Sequence, residues 1–298
     1  GGVRPLLKRL LHMNPQAVEL YKSHSIDLEK EPLEIRVCAQ HHNGGLAVDS
    51  NWQTTIKGLY AAGEAAGTFG SRRPGGSALN STQVGSLRAA EHIACTTRPE
   101  TDIPEAFLSA AAAEAAAFLQ NIEAALSKKE GGNPPLQQRH QAAEAMSLFA
   151  GMLRCPKKMK KLDEMLQKQL HSFFVSACVH NPQEIPFLLK NRDLFITMRA
   201  VLSAMMQAAE TLQTQGSGLV TAENGESIHP LLPEFSYLPP LPQRENRLLL
   251  TKLRNGSFSS QFSPVRPIPE PESWFETVWA QYRERRKFLG QSGATKEK

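Results

Sequence analysis

The stretch from His41 to Ile93, HHNGGLAVDSNWQTTIKGLYAAGEAAGTFGSRRPGGSALNSTQVGSLRAAEHI, decides the reading of this chain. Leu33 to Val37 and Leu46 to Val48 are short β-prone runs that bracket His-His-Asn-Gly-Gly, and Leu59 to Glu64 is an apolar run ending in Gly-Glu. Strands that end in glycine let another backbone or a ligand come close, because no β-carbon stands in the way. A loop from Ala65 to Gly76 follows, with four glycines and the pair Arg72-Arg73. It feeds a helix-like run from Ala78 to Ala94, in which Gly85, Ser86, Ala89 and Ala90 are small enough for close packing on a sheet. A glycine-rich loop entering a helix N-terminus makes an anion site, since the first N–H groups of the helix have no intrahelical acceptor. Read from the residues alone, Arg72 and Arg73 are either part of that site or solvated loop charges.

In motif and order this stretch resembles the C-terminal part of the flavin-binding domain in the fumarate reductase and succinate dehydrogenase flavoprotein family, which also includes L-aspartate oxidase. The resemblance implies FAD as cofactor. It assigns to Glu64, in Leu59-Tyr60-Ala61-Ala62-Gly63-Glu64, the acid that holds the ribityl chain. The family pattern Arg-Leu-Gly-Gly-Asn-Ser-Leu looks like Arg73-Pro74-Gly75-Gly76-Ser77-Ala78-Leu79, so the substrate-carboxylate clamp falls on Arg73. A guanidinium suits that task, because its planar fork meets a carboxylate bidentately and keeps its proton. Gly44, Gly45, Gly63, Gly75, Gly76, Ser77, Ala78 and Leu79 then become cofactor contacts. Reduced flavin carries negative charge on its pyrimidine edge, so free N–H groups near Ser77, Ala78 and Leu79 would stabilise the reduced state.

The histidine motif departs from the family. A His four residues before the first glycine of the Gly-Gly pair binds the dicarboxylate in family members; here that position is Gln40, with His41 and His42 behind it. Glutamine donates a hydrogen bond but carries no cationic charge. Gln40, His41 and His42 are the substrate-binding candidates beside Arg73, and the two histidines read equally well as hydrogen-bonded structure.

The Gly-x-Gly-x-x-Gly turn of an FAD-type dinucleotide site is not in this sequence; Gly216-Ser217-Gly218 lacks the third glycine. The reading is therefore of half a site, the C-terminal portion of a longer flavoprotein that needs the N-terminal half of the same protein. Residues 1–32 read as the tail of the capping domain, with Asn14 as N-cap and Pro15 opening a short helix. The family's proton-delivering arginine would lie upstream and is not assignable.

Residues 33–96 read as the C-terminal part of the FAD-binding α/β domain and 97–218 as a helical domain. Asp102-Ile103-Pro104-Glu105 reads as a capping box opening an Ala-rich helix to about Lys129. A run from Gln137 to Phe174 breaks near Cys155-Pro156, and Asn181-Pro182-Gln183-Glu184 launches a helix through Gln215. Its stripe Leu188, Leu189, Phe195, Met198, Val201, Leu202 and Met205 marks a buried face of a three- or four-helix bundle. The helical part also resembles the family's helical domain, though Gln215-Gly216-Ser217-Gly218 lacks the arginine of the family's Gly-Ser-Arg-Gly. Residues 219–298 read as a C-terminal extension with strand-like pieces from Ser257, a second capping box at Ser273 to Glu276, and a final helix with Trp274, Phe275, Val278, Trp279 and Tyr282 on one side. The fold class is α+β: part of an FAD-binding α/β domain followed by a helical bundle.

Composition closes off other classes. No apolar run approaches the roughly 20 residues of a membrane span, and no charged-apolar-small leader opens the chain, which reads as cytoplasmic. Cys38, Cys95, Cys155 and Cys178 have no metal-type spacing and read as scattered structural thiols. Net charge is +5, and the one dense basic run, Lys157 to Lys161, has no interleaved aromatics, so it reads as a solvated helix face and not a nucleic-acid contact. Two functions follow. One is part of an FAD-dependent oxidoreductase acting on CH–CH groups of a small carboxylate, with a possible electron-transfer partner; the other is a non-catalytic helical interaction module that keeps a decayed flavin half-site. Because the pyrophosphate fingerprint is missing, this chain by itself is expected to bind FAD well below one equivalent. A visible spectrum showing flavin bands near full occupancy in the purified chain would contradict the half-site reading.

Overall fold

The computed structural model describes residues 3–35, 43–70, 73–96, 103–128, 132–213, 218–242, 247–265 and 278–284. Helix α1 (Val3–Met13) leads into α2 (Pro15–Ser23), where the Asn14 side chain accepts from Ala17 N at 3.2 Å and Pro15 opens the first turn, as the sequence reading expected. The anticipated strands are smaller than expected. Leu33 to Ile35 form no strand, residues 36–37 lie outside the described set, and Leu46 and Tyr60 take part only in isolated bridges, Leu46 with Ala66 and Gln53 with Tyr60. Gly44 and Gly45 before Leu46, and Gly67 after Ala66, favour close approach over an extended ladder.

Helix α3 (Ser77–Thr96) matches the expected run within a residue or two at each end. Of its expected packing face, Gly85 and Ala89 are buried but Ser86 and Ala90 are exposed. The neighbour at Gly85, however, is a side chain: a β-carbon there would stand 2.3 Å from Trp52 Nε1.

Helix α4 (Glu105–Ser127) begins behind Pro104, which has no side-chain cap hydrogen bond. The expected capping box is therefore displaced, with Asp102 outside the described residues; Pro104 takes the cap position because it fixes an extended φ and donates nothing. Helix α5 (Pro135–Ala150), strand β1 (Leu153–Arg154) and α6 (Pro156–His171) show the break at Cys155-Pro156. A short α7 (Phe173–Ser176) follows. Asn181-Pro182-Gln183-Glu184 makes a 3₁₀ turn rather than a regular cap: Glu184 Oε2 accepts from His180 N at 3.0 Å, and α8 (Ile185–Leu212) starts one residue later. It ends before the expected Gln215, at Gln213 in a left-handed conformation with φ 49°.

These helices close around one apolar core. Met159, Leu162 and Leu166 of α6 meet Leu188, Phe195, Met198 and Leu202 of α8, while Leu189, Val201 and Met205 of the expected stripe are only partly buried. Phe173 sets its ring edge-on against Phe174 and Phe195, with centroids 5.3 and 5.9 Å apart, and Phe174 does the same with Phe118 of α4 at 5.7 Å. The lysines of the 157–161 run are exposed while Met159 between them is fully buried, as a solvated helix face requires. Of the cysteines, Cys178 is buried and Cys155 partly so, but Cys95 is exposed on α3 and does no core packing; Cys38 lies outside the described residues.

Strand β2 (Leu219–Ser227) pairs with β1 in parallel and with β3 (Ser236–Tyr237) antiparallel. The C-terminal strand signal extends further upstream than the sequence suggested: β4 (Arg247–Arg254) and β5 (Ser257–Pro264) form a hairpin on Asn255-Gly256, both at positive φ (50° and 75°), and it packs on α8. Trp279 and Tyr282 stack at 5.5 Å in the helical turn at 278–284, while Trp274 and Phe275 lie outside the described residues.

One ion pair is held within this packing. Arg199 of α8 donates through Nε to Asp163 Oδ1 of α6 at 2.8 Å, and lays its guanidinium over Phe258 of β5 at 5.5 Å. Arg199 is 7% exposed, so removing its partner strands a charge. Asp163→Ala is expected to cost about 3 kcal/mol in urea unfolding, and the double change Asp163→Leu with Arg199→Met to recover most of it; equal losses for both would show that the pair contributes packing and not charge.

Candidate flavin cradle

Three backbone segments meet at one place. Leu46 N donates to Ala65 O at 2.8 Å and Gly67 N to Leu46 O at 3.0 Å, which lays the Gly44-Gly45 strand across the turn after Glu64. A β-carbon at Gly45 would stand 2.5 Å from Ala65 O and 2.7 Å from Ala66 C, so only glycine permits the crossing. Gly63 opens the 3₁₀ turn Gly63–Ala65 at φ +69° and rests on Thr82 of α3, whose Cγ2 would lie 3.4 Å from a β-carbon there. The hydroxyls of Thr68 and Ser81 are 3.1 Å apart, a second tie between this turn and the same helix.

The third segment is the start of α3. Gly76 turns at φ +81°, and Ser77 caps locally by donating its hydroxyl to Pro74 O at 2.7 Å and its N–H at 3.3 Å. Ala78 and Leu79 then sit in the first turn, where helix geometry gives their N–H groups no intrahelical acceptor. A β-carbon on Gly75 or Gly76 meets nothing within 4 Å, and Leu79 is 64% exposed. The space in front of this helix end is therefore open and lined by backbone and one apolar side chain. A flat ring with an anionic edge matches that lining.

Further along, α3 is pinned to the segment that precedes the cradle. Tyr60 Oη and His92 Nδ1 lie 2.7 Å apart with the rings edge-on, and Gln53 Nε2 donates to Tyr60 Oη at 3.1 Å. Arg88 donates to Ser50 O at 3.2 Å and covers the Trp52 ring at 5.9 Å. These ties fix the helix N-terminus relative to the Gly-Glu turn.

Of the expected site residues, Gly45 is brought against the turn that Gly63 and Glu64 open, and Gly63 rests on Thr82 of α3; Gly75, Gly76, Ser77, Ala78 and Leu79 lie at the start of that helix, with Ser77 bonded to Pro74 O. Glu64 is exposed and free to receive a ligand hydroxyl. Arg73 is partly buried four residues before Ser77, with its guanidinium over the Phe69 ring at 5.5 Å, so the aromatic face orients the fork. Gln40, His41, His42 and Arg72 lie outside the described residues. Sequence reasoning missed Gly67, Thr68, Ser81 and Thr82, which hold the cradle without facing the ligand; two hydroxyls one step apart on a helix start carry too weak a signal. Among the described residues no group of three His, Cys, Asp or Glu could hold a metal ion, and no helix is long and apolar enough to cross a membrane.

Residues 5–79 match the model of the FAD binding domain. The chain is 31% identical over 166 residues to the fumarate reductase flavoprotein subunit of Escherichia coli strain K12, covering 54% of this chain and 27% of that protein. It is 34% identical over 84 residues to the L-aspartate oxidase of Mesorhizobium japonicum, covering 28% of this chain and 16% of the relative. In fold it is similar to an E. coli quinol fumarate reductase variant, with a TM-score of 0.65 and 24% identity over 88% of this chain and 43% of that one. Over these segments the chain is similar to fumarate reductase flavoproteins, and the match to the FAD binding domain indicates FAD as the cofactor. The chain spans about a quarter of the length of the curated fumarate reductase relatives, 27% of the first.

The two kinds of glycine separate experimentally. Gly45→Ala is expected to lower the thermal midpoint of the ligand-free chain, because backbone must move, whereas Gly75→Ala is expected to leave it unchanged and reduce only flavin retention. Equal effects of the two on the ligand-free chain would remove the distinction between a structural and a ligand-facing glycine.

Proposed function

We propose that this chain supplies one side of the active site of an FAD-dependent oxidoreductase acting on CH–CH groups of a small unsaturated carboxylate. The observation that supports the reading is the packing of Gly45 on the turn after Gly63-Glu64, and of that turn on α3 through Thr82 and Ser81, with Arg73 four residues ahead of the helix and over the Phe69 ring. The similarity to relatives named fumarate reductase flavoprotein subunit and L-aspartate oxidase supports it. FAD, when bound, supplies the hydride acceptor and donor.

The chain's own residues bind and orient. Glu64 receives hydroxyls of the ribityl chain, since its carboxylate is exposed and purely an acceptor. Gly44, Gly45, Gly75 and Gly76 allow backbone to approach the ring, and the N–H groups of Ala78 and Leu79 face developing negative charge at the positive end of a 20-residue helix, the Ser77 N–H being held by Pro74 O. Arg73 holds the substrate carboxylate bidentately, its plane set by Phe69. Gln40, His41 and His42 complete the substrate side, with Gln40 giving a neutral hydrogen bond where the family carries a histidine. Neutral donors grip a second carboxylate weakly, so the preferred substrate carries a single essential carboxylate. The dinucleotide-binding half of the same flavoprotein and an electron-transfer partner complete the working enzyme.

The alternative of a non-catalytic module with a decayed half-site has less support: Glu64, Arg73 and the ligand-facing glycines are all retained in one continuous stretch.

Arg73→Lys in the holoenzyme is expected to keep its flavin while kcat/KM for the carboxylate falls roughly tenfold to a hundredfold, the ~1.5–3 kcal/mol of a charge-assisted hydrogen bond. Unchanged kinetics would return Arg73 to the solvated loop charges. In the same assay, reoxidation of the chemically reduced enzyme is expected to be faster with 2-enoates of one carboxylate than with fumarate; fumarate ahead by about tenfold, ~1.4 kcal/mol in transition-state binding, would overturn the substrate assignment.

A further inference from the structure

Helix α4 is anchored at one end and bare at the other. Ala125 is fully buried and accepts from Val179 N at 3.4 Å, and Phe118 meets Phe174, yet every residue from Glu105 to Asn121 is exposed. Phe107, Leu108 and Leu119 are 64%, 52% and 58% exposed. The ten alanines of the helix give it enough intrinsic propensity to persist without tertiary support. What they do not explain is its apolar stripe. At 100° per residue, Phe107, Leu108, Ala111, Ala115, Phe118, Leu119 and Ile122 fall on one face. The buried end of that stripe is the contact with α7, so the bare end continues an interface that already exists.

Charge narrows the choice of occupant. The stripe is flanked by Glu114 on one side and by Glu105 and Glu123 on the other, and α4 contains no Lys, Arg or His. Pairing two α4 helices would set acid against acid. A complementary surface lies on the same molecule. Phe149, Leu162 and Met165 line a groove of about 260 Å³ between α5 and α6, with Lys161, Lys168 and Glu164 around it. Lys157, one turn before Lys161 on the same face, brings the basic side chains to three against the single acid Glu164. Leu148 and Met152 at the C-terminal end of α5 are 67% and 57% exposed beside it. A continuous 23-residue helix fixed at its C-terminal end cannot bend back onto its own groove without breaking.

We infer that two copies of this chain associate reciprocally, the bare N-terminal turns of α4 from each lying in the α5–α6 groove of the other. Apolar knobs from Phe107, Leu108 and Leu119 cover Phe149 and Met165, and the flanking glutamates meet Lys157, Lys161 and Lys168. This surface is separate from the flavin cradle, and the inference does not depend on the proposed chemistry.

Charge exchange tests it. The full chain is expected to run as a concentration-dependent dimer in size-exclusion chromatography with light scattering, weakening as salt rises. Reversing the helix, Glu105→Lys with Glu114→Lys, or the groove, Lys161→Glu with Lys168→Glu, is expected to weaken self-association by about tenfold or more. All four positions are solvent-exposed, and unchanged circular dichroism would show that each variant folds. Mixed together, the two variants are expected to regain dimerisation, because both contacts are then again of opposite charge. If either pair misfolds, Phe107→Ser alone is expected to weaken the dimer. A wild-type chain that stays monomeric throughout the concentration series, a dimer indifferent to both reversals, or a mixture that fails to reassociate would overturn the inference.

Discussion

The crossing of Gly45 over Ala65 and Ala66 leaves no room for a β-carbon on Gly45, and the candidate site is arranged around that contact. It brings Leu46 into two backbone hydrogen bonds with the segment after Glu64, and so fixes where the Gly63-Glu64 turn stands. Thr82 and Ser81 then seat α3 against that turn, and the Tyr60–His92 and Trp52–Gly85 contacts hold the helix along its length. Moving the crossing outward by the diameter of a methyl group would separate the Gly63-Glu64 turn from the crossing strand. The cradle's chemistry is thus a consequence of backbone proximity, with side chains serving mainly as spacers and ties.

The helical part obeys a different physical rule. Its stability comes from volume filled by apolar groups: the α6–α8 seam, the edge-to-face rings of Phe118, Phe173, Phe174 and Phe195, and the Arg199–Asp163 pair kept partly dry beneath Phe258. There Arg199 and Asp163 satisfy each other, while Gln138 Oε1, Gln169 Oε1 and Asn191 Oδ1 are buried without a partner among the described residues. In the candidate cradle Glu64 and Leu79 remain exposed, as a ligand-facing surface would require.

Much of the candidate site could be read from residue identity because its determinants are local. Gly63 and Gly76 sit at positive φ, where few other residues are comfortable, and a glycine-rich loop running into small helical residues is the one-dimensional trace of that geometry. The helices were legible for a similar reason: Asn14-Pro15 and Cys155-Pro156 act on their own backbone within a turn. The misreadings occurred where local signals competed. Pro104 displaced Asp102 as the residue entering α4, and Glu184 spent its carboxylate on His180 N, converting an expected cap into a 3₁₀ turn. Strand β4 was missed although Asn255-Gly256 between two apolar-alternating segments is a hairpin turn in sequence terms.

By itself, then, the sequence determined the glycine positions, the acid and arginine of the candidate site, the helix-forming segments and the break between α5 and α6, since each depends on torsional freedom or charge over a few residues. Tertiary structure decided what sequence spacing cannot encode. It set Trp52 under Gly85, joined Tyr60 to His92 across 32 positions, and laid the Gly44-Gly45 strand against Ala65, reducing anticipated strands to single bridges. It also decided which apolar face stays bare: α4 and α8 both carry a stripe at helical spacing, and only packing against α6 buried one of them. Burial is a property of pairs of surfaces, so it appears only when the chain has chosen its neighbours.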